Sequence, residues 1–414
     1  MLSDSVERLR RRLDLEERRT CYPERFPALP PLPAARYTDP AFYALEQQRL
    51  WSRSWLCVGH ASETANVGDY RVIDRLAAPI FVIRSQDGRI RAFYNTCQHR
   101  GAPVLRDTQG CARRLSCQYH GWTYDTFGAL IAVPYEHDFA GLDRRTRPLK
   151  AIRCETWQGF VFVNLDADAE PLADFMRPLD ADLADELSGP DLRLAFRRTE
   201  VTKCNWKIAQ EAFLEAYHVP VIHPRTAALV LDYAATAIAL LGNGHSRMVH
   251  KLHAALQGTA PGARFGLTPI PTAGPVLGEM SSAWGVFPNM TTPLNPYIIT
   301  LVSFWPIDIA NTRVDWSVYG YGWDDEPPPG FGDFCKVFDV VMDEDFRNLA
   351  PMQASVASGA LRDVPVSYQE RRLYHFNQEV DRRIGADRVP AHLRVAPVAL
   401  PLEPDVYASD PGSA

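Results

Sequence analysis

The chain has 414 residues, 46% hydrophobic and 23% charged, a globular composition with length enough for more than one domain. A formal net charge of −6 leaves no basic field for a phosphate backbone, which argues against nucleic acid as a partner. No apolar run reaches the ~18–20 residues that a membrane span needs; the nearest, Ala227 to Leu241, is interrupted by Asp232 and followed by Gly242, Asn243 and Gly244.

Val6 to Arg19 mixes Arg with Asp and Glu around Leu9, Leu13 and Leu15 and reads as a short surface helix. It lacks the apolar centre of a signal peptide, so a cytoplasmic protein is expected. Pro23, Pro27, Pro30, Pro31, Pro33 and Pro40 predict an extended connector. A helix is predicted from Ala41 to about Trp51, where Phe42, Leu45, Leu50 and Trp51 recur near helical spacing. From Trp55 to Asp166 the texture is of short strands, Tyr70–Ile73, Ile80–Ile83, Ile90–Tyr94 and Phe160–Leu165, with turns such as Gln86-Asp87-Gly88. This predicts a small all-β domain. Helical texture returns over Leu172–Leu187, strands over Ile298–Phe304 and Thr312–Tyr321, and a helix over Phe334–Ser358. The second region therefore reads as α+β. Pro327, Pro328 and Pro329 mark a surface loop, and the tail after Leu400 is predicted to be loosely held.

Of eight cysteines, only Cys97 and Cys117 have histidines at ligand-like spacing. The other six, Cys21, Cys57, Cys111, Cys154, Cys204 and Cys335, read as reduced, packed thiols. Cys97-Gln98-His99 and Cys117-Gln118-Tyr119-His120 give Cys-x-His and Cys-x-x-His, separated by seventeen residues. Two thiolates and two imidazoles suit tetrahedral zinc. They equally suit a 2Fe–2S cluster with both Cys on one iron and both His on the other. Spacing alone does not separate the two.

A second constellation lies in the stretch from Asn205 to Pro224. Glu211, Glu215 and His218 fall at i, i+4 and i+7, which predicts one helix face carrying all three. His218 and His223 are five apart and would point about 140° apart on an ideal helix. Pro220 between them disturbs the helical ladder, and a broken turn brings both imidazoles to one metal. The run Asp343-Glu344-Asp345, read alone, is a solvated helix N-terminus.

The flanks carry a family resemblance. Asn95-Thr96-Cys97-Gln98-His99-Arg100-Gly101-Ala102 and Cys117-Gln118-Tyr119-His120-Gly121-Trp122-Thr123-Tyr124-Asp125, with Gly128 beyond, closely resemble the Rieske domain of aromatic-ring-hydroxylating oxygenases. One departure is Gln118, where many relatives have proline. The stretch from Asn205 to Pro224 resembles the catalytic helix of the same family, and Trp157 to Leu165 its closing Rieske strand. The likeness runs from about Tyr37 to Gln353.

What that resemblance implies is specific. Cys97, His99, Cys117 and His120 would hold a 2Fe–2S cluster. His218, His223 and Asp345 would hold a mononuclear Fe(II), Asp345 rather than Asp343 or Glu344 supplying the carboxylate of a 2-His-1-carboxylate triad. Glu215 replaces the Asp common in ring dioxygenases, as in the choline and carnitine monooxygenase branch. It would join His120 of one chain to His218 of the next. The implied fold is an N-terminal segment (1–44) packing on the catalytic domain, an all-β Rieske domain (45–166) and a helix-grip, START-like catalytic domain (167–414). The implied partners are a ferredoxin or flavin reductase fed by NAD(P)H, O₂, a small organic substrate, and further copies in a homotrimer, with or without β subunits. Segments 226–305 would line the pocket, and Leu229, Leu231, Leu240, Leu241, Trp284, Phe287 and Phe304 suit an aromatic or apolar substrate. The alternatives are a quaternary-amine monooxygenase and, in another class, a Rieske electron carrier with a ligand-binding second domain.

Overall fold

The computed structural model describes residues 3–76, 78–180, 192–253, 265–274, 280–323 and 326–402, with Gly262 and Leu277. It has a mixed α+β architecture that divides into two compact units, one formed by Ser52–Phe175 and the other by Met1–Trp51 with Met176–Ala414.

The unit Ser52–Phe175 is built on β1 (Leu56–His60), β2 (Asp69–Ile73), β3 (Ile80–Arg84), β4 (Ile90–Tyr94) and β5 (Gln109–Cys111). A small sheet of β6 (Leu115–Ser116), β7 (Thr123–Tyr124) and β8 (Leu130–Ala132) follows, then β9 (Ala151–Trp157) and β10 (Phe160–Asn164). The main sheet is antiparallel in the order β1-β10-β9-β4-β3-β2-β5. In β3, Ile80, Phe81, Val82 and Ile83 are all buried, as in a strand covered on both faces. Tyr70, Phe81, Ile83 and Phe93 of that sheet pack with Val104, Leu115, Trp122, Tyr124 and Leu130, so the segments bearing the Cys and His residues sit on its core. Gly128 has φ +88°, and a Cβ there would lie 2.5 Å from the Phe93 ring. Glycine is what lets this turn close onto the sheet.

The second unit opens with α1 (Ser3–Glu17). Its Val6, Leu9 and Leu13 are buried against Ala237, Val249 and Met280, while Leu15 is exposed. The helix predicted as a surface element is thus a cover for one face of a sheet. At α2 (Pro40–Leu45), Asp39 caps the Phe42 N–H, and the helix continues through a wider π turn over Glu46–Trp51. The sheet comprises β11 (Arg193–Thr202), β12 (Leu231–Leu240), β13 (Ser246–Leu252), β14 (Met280–Val286), β15 (Met290–Asn295), β16 (Ile298–Asp308) and β17 (Asn311–Gly320). All neighbours are antiparallel, in the order β11-β17-β16-β15-β14-β13-β12. Sequence texture foretold β16 and β17. It did not reveal β12, whose Ala-rich run has weak strand propensity and is made a strand by its pairing with β13.

One face of the sheet carries Val302, Phe304, Val314 and Trp316. They pack on Ile208 and Ala209 of α3 (Trp206–Glu211) and on Met342 and Leu349 of the long α5 (Gly330–Ala357). The short α4 (Val219–Ile222) precedes β12, and α6 (Arg371–Ile384) follows α5. Buried polar groups anchor α3. The Lys207 ammonium donates to Glu46 at 2.6 Å and the Trp206 indole N–H donates to the same carboxylate at 3.0 Å. Glu211 accepts from the Tyr37 hydroxyl and the Asn377 amide, each at 2.8 Å.

The helix predicted over Leu172–Leu187 runs Leu172–Asp180, and 181–187 lie outside the described residues, as does the tail from 403. Of the residues expected to line the pocket, Leu229 is 62% exposed, and Trp284 is buried on the strand face of Met280, toward α1. Among the described residues no helix is long and apolar enough to cross a membrane.

Candidate metal centres

The two Cys/His segments form matched loops. In the first, the Cys97 N–H donates to the Ala102 carbonyl and the Gly101 N–H to the Cys97 carbonyl, at 2.8 and 2.9 Å. In the second, the Cys117 N–H donates to Trp122 and the Gly121 N–H to Cys117, again at 2.8 and 2.9 Å. Gly101 and Gly121 take φ of +76° and +71°, the left-handed turn that closes each loop. Both sulfurs are buried, whereas His120 is exposed and His99 half-buried. The Nδ1 atoms of His99 and His120 face each other at 3.1 Å. His99 lies flat against Trp122, ring centroids 4.9 Å apart at 8°. Burial, then His120 and Arg100, lower the His99 pKa, which keeps the ring in the neutral form a metal needs.

Tyr124 links ring and backbone to sulfur. Its hydroxyl accepts the Gln98 N–H at 3.0 Å and lies 3.4 Å from Cys97 Sγ, and the His99 N–H also reaches that sulfur. All eight cysteines are free thiols.

The second constellation folds differently from the single helix face expected for Glu211, Glu215 and His218. α3 ends at Glu211, whose carboxylate turns to Tyr37 and Asn377. Ala212 to His218 is a turn, and α4 starts at Val219. Pro220 is not the breaking point. It sits in the first turn of α4, where a missing N–H costs nothing. The break is stabilised by Glu215, whose carboxylate accepts the N–H groups of Tyr217 and His218 as well as bonding His218 Nδ1.

That broken segment turns His218 and His223 toward α5. His223 Nε2 is 3.0 Å and His218 Nε2 3.5 Å from Asp345 Oδ1, and the three ligand atoms lie within 4.8 Å of one another. Asp345 and His223 are buried and His218 nearly so. Both outer nitrogens meet carboxylates: His218 Nδ1 meets Glu215, and His223 Nδ1 meets Glu344 at 2.8 Å. Thr226 donates to the same Glu344 oxygen at 2.6 Å. Asp343, the other acid of that run, pairs with Arg198 at 3.2 Å, away from both imidazoles.

The electrostatics favour a cation. Burial lowers the proton affinity of His218, but Glu215 and then Asp345 outweigh it, and the pKa is raised. For His223, burial is likewise outweighed, by Asp345 and Glu344. Two imidazoles and a carboxylate form the donor set of non-haem Fe(II). Among the described residues, this is the one group that brings three donor atoms so close. Cys97, His99, Cys117 and His120 do not converge in that way. Sequence reading missed Glu344 and Thr226 as outer partners of His223, since nothing in the spacing distinguishes them from surface residues.

A fold with a Cys₂His₂ cluster cradle in one unit and a His₂Asp site in the other defines an iron–sulfur protein with a mononuclear metal centre. Residues 54–150 match the Rieske [2Fe-2S] domain, and residues 188–386 match the ring hydroxylating alpha subunit (catalytic domain). The chain is 31% identical to the 2-aminobenzenesulfonate 2,3-dioxygenase subunit alpha of Alcaligenes sp. over 301 residues, 70% of this chain and 74% of that one. It is 39% identical to the biphenyl 2,3-dioxygenase subunit alpha of Rhodococcus jostii (strain RHA1) over 189 residues, 44% of this chain and 41% of the relative. The match thus spans about two fifths of that relative's length. The fold is similar to that of a quaternary ammonium Rieske monooxygenase (TM-score 0.75, 23% identity, covering 88% of this chain and 99% of that one). The chain belongs to the family of Rieske-type ring-hydroxylating oxygenase alpha subunits.

Proposed function

We propose that this chain is the oxygenase component of a system that uses O₂ and reductase-supplied electrons to hydroxylate a small aromatic or apolar substrate. The observation that carries the reading is the convergence of His218 Nε2, His223 Nε2 and Asp345 Oδ1, in a chain that also holds the Cys97, His99, Cys117 and His120 cradle. When bound, the 2Fe–2S cluster supplies single electrons and the Fe(II) supplies open positions for O₂.

The rest is the work of side chains. Glu215 orients the His218 ring and serves as the bridge to His120 of a neighbouring copy. In support, His120 is exposed, and Tyr217 and Val221 beside His218 are exposed at 62% and 81%, a patch suited to cover by another copy. A homotrimer follows on this reading, with a ferredoxin or flavin reductase drawing on NAD(P)H as the donor. The antiparallel sheet gripping α5 is read as a helix-grip, START-like catalytic domain, and the unit around Ser52–Phe175 as the Rieske domain. The free thiols accord with a reducing, cytoplasmic setting. A second reading, oxidation of a quaternary amine, is favoured by one residue, Glu215 in place of Asp.

The test is O₂ uptake and ¹⁸O incorporation by the iron-loaded protein with a surrogate reductase, across aromatic hydrocarbons and, for the second reading, carnitine. Asp345→Ala should lose the mononuclear iron and all product while keeping the Rieske EPR signal; His99→Ala should abolish that signal. Full mononuclear iron in Asp345→Ala, or an unchanged signal in His99→Ala, would refute the ligand assignment.

A further inference from the structure

His223 is gripped at both nitrogens by consecutive residues of one helix. Asp345 stands 3.0 Å from Nε2, and Glu344 stands 2.8 Å from Nδ1. Adjacent helical residues point about 100° apart, so the two carboxylates reach opposite edges of one ring. We infer that Glu344 is the positioning residue of the mononuclear metal site, setting the tautomer and angle of His223. The inference rests on the assignment of His218, His223 and Asp345 as the ligand set.

Three features carry it. The first is the bond itself. With Nδ1–H donated to Glu344, the lone pair of Nε2 is the one left facing Asp345, and a ring only 2% exposed cannot turn away. The second is the support beneath Glu344. Thr226 donates its hydroxyl to the same oxygen at 2.6 Å, and its own N–H returns to the His223 carbonyl at 3.2 Å. The loop of His223, Thr226 and Glu344 is therefore closed by three hydrogen bonds. The third is the contrast with His218. Its carboxylate, Glu215, comes from the same turn, three residues earlier, whereas Glu344 stands on a helix of 28 residues. The site has one locally held imidazole and one held by the long helix. Glu344 steadies the His223 side of the site, and Glu215 holds the His218 side that the proposed electron path uses.

The experiment is Fe(II) retention by the iron-loaded protein against a colorimetric Fe(II) chelator, with the Rieske visible spectrum as internal control. Glu344→Ala should weaken retention by about 10- to 100-fold. Glu344→Gln keeps an acceptor for Nδ1–H and should stay within a few-fold of the unaltered protein. Thr226→Val should fall between the two. Asp343→Ala, which removes an equal charge next door, should change nothing. Unchanged retention in Glu344→Ala, an equal loss in Asp343→Ala, or a Gln variant as weak as Ala would overturn the inference. So would loss as complete as in Asp345→Ala, which would make Glu344 a ligand. Full retention in Asp345→Ala would instead sink the ligand set itself. Should Glu344→Ala fail to fold, Thr226→Val and Glu344→Gln decide: equal retention in both, at the unaltered level, counts against a positioning role.

Discussion

Replacing Glu211 with Gln should stabilise the protein, increasingly so as the pH rises from about 4.5 to about 7. Burial pushes the Glu211 carboxyl from its ordinary 4.5 up to about 7, against the opposing pull of Asn377, Tyr37, Lys207 and Arg36. Between those two values the folded chain holds a proton that the unfolded chain has released. Stability therefore falls as pH rises through the window, and the full deficit is present above pH 7. At ~1.36 kcal/mol for each tenfold change in proton affinity, the gap amounts to about 3 kcal/mol. Gln cannot ionise. Its oxygen accepts from the Asn377 amide, and its NH₂ donates to the Tyr37 hydroxyl, which turns to receive it. The assay is urea unfolding of both proteins at pH 5 and pH 8, followed by tryptophan fluorescence. Comparison of the two proteins cancels the other titrating groups. Glu211→Gln should be more stable by up to about 3 kcal/mol at pH 8 and little changed at pH 5. Equal pH dependence in the two proteins, or an advantage of the Gln variant smaller at pH 8 than at pH 5, would refute the reasoning.

Glu215→Ala should retain both metals, yet product formation in a single turnover from the fully reduced protein should fall by orders of magnitude; normal product yield and cluster reoxidation rate would exclude the bridge. Tyr124→Phe removes a hydroxyl 3.4 Å from Cys97 Sγ, so the cluster should keep its spectrum but become harder to reduce, read by potentiometric EPR titration. An unchanged or raised potential would count against that hydrogen bond. Glu46→Ala should destabilise by about 3–5 kcal/mol in urea melts, because it strands the wholly buried Lys207 cation and frees the Trp206 N–H. Adding Lys207→Met to it should restore most of the loss, and a double variant no better than the single would disprove the stranded-charge account.

Motifs that are local in sequence were legible. Cys97 to Gly101 and Cys117 to Gly121 each close a loop within six residues, so their chemistry shows in the string itself. His218, His223 and Asp345 were readable through their flanks, and the geometry brings them together. What stayed hidden depends on distant partners. The i, i+4, i+7 pattern suggested one helix face, but Glu211 is claimed by Tyr37 and Asn377, 174 and 166 residues away. The helix stops there, and Glu215 accepts the Tyr217 and His218 N–H groups just ahead of α4. Likewise α1 looked like a surface element because its apolar stripe of Val6, Leu9 and Leu13 is narrow. Only the sheet face it covers explains the stripe. Glu344 was legible as an acid but not as a support, since a ring 121 residues away defines its role.

Asp345 stands near the middle of a helix running from Gly330 to Ala357, with about three turns of hydrogen-bonded backbone on its shorter side. A side chain so placed is insulated from end fraying and from changes in the connections around it. The strands from Leu231 to Leu252 lie outside that helix, and substitutions there need not move the carboxylate. Metal retention is thereby insulated from mutation in much of the chain, and selection can alter those parts while leaving the carboxylate in place.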